Sequence, residues 1–153
     1  MVFDLNSRVI QLCTQGMQKE AELEPAEAKM LFTRAWQEAS NDIEKIVAAH
    51  YVARHQESVA DKLYWDELAL SLALHHSDKQ MEELLPSLYL NIGKCHEDLG
   101  NIELAGENYN MAKNFTGSLP DNGYGKMTMA AIESGRSRIA GSIIKSRDNK
   151  YQI

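Results

Sequence analysis

Apolar residues recur along most of this chain at three- and four-residue spacing, and no convincing stretch alternates apolar and polar as a strand would. The pattern predicts seven helices, punctuated by sparse glycine and proline. The first runs from about Leu5 to Glu22, with Leu5, Val9, Leu12 and Gly16 on one side. Pro25 opens the second, where a missing N–H costs nothing, and Ala28, Leu31, Phe32, Ala35 and Ala39 form its stripe. Asn41 and Asp42 cap a third helix ending near Gln56. Ser58 and Asp61 have capping spacing for a fourth, which ends near His75. Ser77 and Asp78 open the fifth, which bends or restarts at Pro86. Gly100-Asn101 ends it as a left-handed cap would. Helix six spans about Ile102 to Phe115, residues 116–123 form a loop, and helix seven covers about Tyr124 to Ile144 ahead of a polar tail. The expected fold class is all-α.

A repeat lies within this pattern. Gly93 is followed at fixed intervals by Ala105, Tyr109 and Ala112, and Gly16 at the same intervals by Ala28, Phe32 and Ala35. All four positions are offset by 77 residues. Small residues let paired helices approach while one ring fills the gap between them, so the register sets Ala105 against Gly93.

Residues Tyr89, Ile92, Gly93, Gly100, Ala105, Tyr109 and Ala112 stand at signature positions of the tetratricopeptide repeat (TPR), which the chain resembles; His96 takes the place of the usual tyrosine. In the first unit Gln15 and Lys19 depart from that signature. The resemblance implies one TPR-like domain, a right-handed solenoid of helical hairpins. Repeat one covers about 8–41 and a degenerate, lengthened repeat two about 42–85, whose register stays open. Repeat three covers about 86–119, a capping helix about 124–144, and a polar tail 145–153. The extra residues of the middle unit fall around Lys79 to Leu85.

At 153 residues with a net charge of -6, the chain has ordinary globular proportions. The charge is uneven. Residues 1–123 carry 20 acidic and 10 basic side chains; residues 124–153 carry 2 acidic and 6 basic ones. That body repels a phosphate backbone, so nucleic acid is disfavoured. With no basic start or long apolar run read at its beginning, and with Cys13 and Cys95 forming no CxxC, the chain is expected to be cytoplasmic with reduced thiols.

Catalytic motifs fail on spacing. His96-Glu97 begins a zinc-binding HExxH, but its second histidine position is Gly100. Gly125-Lys126-Met127-Thr128 lacks the upstream glycine and strand of a phosphate loop. An rRNA adenine methyltransferase needs a glycine-rich methyl-donor turn and an Asn-x-Pro-aromatic motif, and neither occurs. No cofactor, metal or catalytic residue is therefore expected.

The resemblance instead implies a scaffold that binds a protein or extended peptide on the inner face of the array. A small enzyme acting in the groove, or a self-associating structural protein, are the alternatives. The positions that hold a terminal carboxylate in some TPR domains are here Cys13, Met17, Ser87 and Asn91, none basic, so that mode is not supported. The inner face should present Cys13, Met17, Leu90, Asn91 and Lys94, with His50, Tyr51 and Arg54 from the middle unit. Helix seven either caps the last repeat or serves a partner.

Overall fold

Each predicted helix forms, and local chemistry sets its ends. A computed structural model describes residues 4–76 and 79–150, and of 79, 80 and 146–150 the backbone only. Among the described residues there are seven α-helices and no strand: α1 (Arg8–Ala21), α2 (Pro25–Glu38), α3 (Asp42–Arg54), α4 (Val59–His75), α5 (Leu85–Asp98), α6 (Ile102–Asn114) and α7 (Gly123–Lys150). Ser7 Oγ accepts the Ile10 N–H, so α1 starts three residues later than the apolar pattern suggests. Asn41 caps α3 through the Glu44 N–H at 3.0 Å, and Ser58 caps α4 through the Asp61 N–H at 3.0 Å.

Two other boundaries differ from expectation. The opening placed at Ser77 and Asp78 lies outside the described residues. A 3-10 segment, Lys79–Glu83, precedes α5, which starts at Leu85 with Pro86 in its first turn; the chain restarts at the proline rather than bending there. At the other end α7 runs on to Lys150, six residues into the stretch read as a polar tail. Nothing after Gly141 breaks a helix: no proline or further glycine follows.

The described residues fall into two compact units, one up to Met81 and one from Glu82 onward. In the first, α1 packs on α2, α2 on α3 and α3 on α4, and α1 also meets α3. Its core gathers Val9, Leu12, Cys13, Phe32, Val47 and Val52. In the second, α5 packs on α6, and α7 lies against both. Ala105, Tyr109 and Ile139 form a core cluster there, with Leu90 and Ile102 packed against it.

The helix ends within the two units repeat as well. Gly100 has φ +79°, as its place after α5 requires, and the Asn101 N–H closes onto the His96 carbonyl at 2.8 Å. Leu23, offset by the same 77 residues, has φ +62°, and the Glu24 N–H closes onto the Lys19 carbonyl at 2.9 Å. The geometry is the same, but one unit builds it from leucine. A side chain there meets the following carbonyl, and Leu23 is 86% exposed, so packing returns nothing. Leu23→Gly is therefore expected to raise stability by about 1 kcal/mol. A chemical-denaturation midpoint left unchanged or lowered would contradict this.

Candidate functional site

The repeated glycine is the element around which each unit's exposed face is organised. A Cβ built on Gly16 would lie 2.3 Å from the Phe32 ring, and one on Gly93 would lie 2.8 Å from the Tyr109 ring and 3.3 Å from the Ala105 carbonyl. The close approach read from the sequence is thus present in both hairpins, and Ala28, Phe32, Ala35, Ala105, Tyr109 and Ala112 are all fully buried.

The third helix at each ring was not read from sequence. In the first unit Tyr51 of α3 stacks on Phe32, with centroids 5.0 Å apart and planes at 9°. In the second, Gly135 of α7 takes that place, and its Cβ position falls 2.6 Å from Tyr109. Glu20 and Glu97, again 77 apart, repeat this relation. Glu20 meets Arg54 Nη2 at 3.0 Å and His55 Nε2 at 2.7 Å, both from the end of α3. Glu97 takes two hydrogen bonds from Arg138 of α7, at 2.7 and 2.9 Å, and one from the Tyr109 hydroxyl. Tyr51 with Gly135, and Arg54 with Arg138, are each 84 residues apart. In the second unit α7 therefore stands where α3 stands in the first.

That carboxylate is electrostatically committed. The Arg138 hydrogen bonds, joined by the Tyr109 hydroxyl and opposed by burial, hold Glu97 down at about 2. Burial first, and then the Glu97 carboxylate beside it, push the Tyr109 phenol up. A carboxyl depressed on folding stabilises the fold above its unfolded value near 4.3, and that contribution disappears as pH falls from about 4.5 towards 2. Arg138 is 45% exposed, so solvent screening reduces the contribution to about 1–2 kcal/mol. Glu97→Gln should cost this amount at pH 7 and flatten the acid limb of the stability curve. Identical acid limbs for the two proteins would contradict it.

The residues expected on an open face divide between the units. In the first, Tyr51 donates its hydroxyl to Met17 Sδ at 2.9 Å, and the Arg54 guanidinium lies 5.6 Å over the Tyr51 ring. Met17 and Arg54 are exposed and Tyr51 half-buried, so these three form one continuous surface of α1 and α3. His50 is half-buried beside them, its Nδ1 3.7 Å from Asp66 and without a hydrogen-bond partner. Cys13 does not reach this face: it is 2% exposed within the core, and burial pushes its thiol up to about 12, which leaves no nucleophile at neutral pH.

In the second unit Lys94 is exposed and paired with Asp98 one turn on. Asn91 is half-buried, and Leu90 packs against the Tyr109 cluster. Met17 and Lys94 occupy one repeat position, each directly after its glycine. His96 is 8% exposed, and Cys95 is buried next to it. Among the described residues no group of three or more His, Cys, Asp or Glu side chains is placed to hold a metal ion. Nor is any helix among them long and apolar enough to cross a membrane.

No protein-family model, curated protein or solved structure matches this chain.

Proposed function

We propose that this chain is a TPR-like binding module that holds a protein or extended peptide segment and performs no catalysis. One observation carries the reading. The same hairpin is built twice around a glycine–ring contact, and each copy presents the residue after that glycine, Met17 or Lys94, to solvent. A rigid core carrying exposed side chains at a repeated position suits recognition, because little ordering entropy remains to be lost on binding. In the first unit the surface offers a thioether, a phenol ring and a guanidinium; in the second, an amide and an ammonium. Such a mixture suits an extended segment bound through backbone and apolar contacts. Buried cysteines outside any disulfide, Cys13 and Cys95, fit a reducing compartment, and we place the protein in the cytoplasm.

Affinity capture tests the reading. Met17→Glu, Asn91→Ala and Lys94→Glu should each recover less of the partners that the wild-type chain retains, while the melting temperature changes little. Lys94→Glu sets like charges one turn apart at Asp98, which costs at most about 0.5 kcal/mol. Equal recovery by all three variants would place binding elsewhere.

A further inference from the structure

α7 is 28 residues, about 42 Å, and twice the length of α5. Among the residues whose side chains are described, its buried positions are Gly125, Thr128, Ile132, Gly135 and Ile139, which form one stripe. From Ser142 to Lys145 every side chain is exposed, including Ile143 at 42% and Ile144 at 60%. Its sequence is basic, with Lys145, Arg147 and Lys150 against Asp148.

The complementary surface lies on the first hairpin. A groove of about 340 Å³ runs between α1 and α2, lined by Gln15, Lys19, Glu22, Glu27, Met30 and Leu31. Lys19 sits 3.0, 2.7 and 3.3 Å from Glu22, Glu24 and Glu27, so three carboxylates share one ammonium. Those carboxylates are 42%, 44% and 54% exposed, and Met30 beside them is 67% exposed. This acidic, partly apolar surface belongs to the first hairpin alone: 77 residues on, the three glutamates are replaced by Leu99, Asn101 and Leu104.

We infer that the basic end of α7 docks into the α1–α2 groove of a second copy of this chain. Ile144 supplies the apolar contact to Met30 and Leu31, and Lys145 meets the carboxylates that Lys19 leaves under-compensated, within a stretch whose sequence is basic. About nine residues of helix bury far less than the 1,200 Å² or so of a stable complex, so the association is weak and screened by salt.

Sedimentation velocity on the full chain, at salt concentrations of about 20 and 500 mM, tests this. The weight-average mass should rise with protein concentration at low salt and return to that of the monomer at high salt. The pair Lys145→Glu/Arg147→Glu and the pair Glu22→Lys/Glu27→Lys should each remain monomeric. Mixed in equal amounts they should associate again, because each then supplies the charge the other's surface needs. Ile144→Asp, at an exposed position that the fold does not use, should weaken association without lowering the melting temperature. A wild-type monomer at both salts up to about 100 μM overturns the inference, as does a mixture of the charge-reversed variants that stays monomeric. So does a monomer whose α7 end binds vesicles of phosphatidylcholine and phosphatidylserine, or duplex DNA.

Discussion

Gly93→Ala should destabilise the protein by about 2–3 kcal/mol, although alanine is the better helix former by about 1 kcal/mol. The added methyl would fall 2.8 Å from a ring that Gly135 also crowds, with a Cβ position only 2.6 Å away. Tyr109 is fully buried, and its hydroxyl is fixed by Glu97 and Arg138. Gly135→Ala should cost a similar amount, and so should Gly16→Ala, whose methyl would meet Phe32 at 2.3 Å with Tyr51 stacked on that ring. Thermal and chemical denaturation measure all three. Because propensity and packing have opposite signs here, an alanine variant of equal or greater stability would show that the ring does not sit between these helices.

Deleting the chain after Pro120 should have the largest effect. Without α7, Tyr109 loses one of its covering helices, and Glu97 loses the guanidinium that neutralises it. Uncovering one aromatic side chain alone forfeits about 1.5–3 kcal/mol, before the ion pair is counted. The truncated chain should melt without a sharp transition and associate, as light scattering and near-ultraviolet circular dichroism would detect. A truncated monomer with an intact cooperative transition would mean that α7 does not complete the fold. The rest of α7 suits a terminal helix. In α3, Ile46, Ala49 and Ala53 are fully buried, whereas the residues 84 positions later, Ala130, Glu133 and Ser137, are not.

Much of this was legible because the ring contact is local to each hairpin: a 77-residue offset of four residues was enough to locate Gly16, Phe32, Gly93 and Tyr109. The third helix at each ring was not, because its offset is 84: seven more residues separate the matched positions of α6 and α7 than those of α2 and α3. The same 77-residue comparison applied to charged residues would have joined Glu20 to Glu97, and applied to helix ends would have joined Leu23 to Gly100. Leu23 was hidden because no composition rule expects leucine at a left-handed position. The face residues were only partly legible. Helical spacing puts Cys13 on the same side as Met17, yet one turn separates a core position from an exposed one, and periodicity alone does not resolve that difference.

The central claim, a binding module that uses the exposed position after each repeated glycine, is tested most directly by site-specific photocrosslinking. A benzophenone side chain is placed in turn at Met17, at Lys94 and, as a control, at Glu67, an exposed residue of α4 remote in sequence from both glycines. Irradiation with the captured partner should give covalent adducts from positions 17 and 94 and none from 67. Adducts from position 67 alone, with none from 17 or 94, would contradict the account.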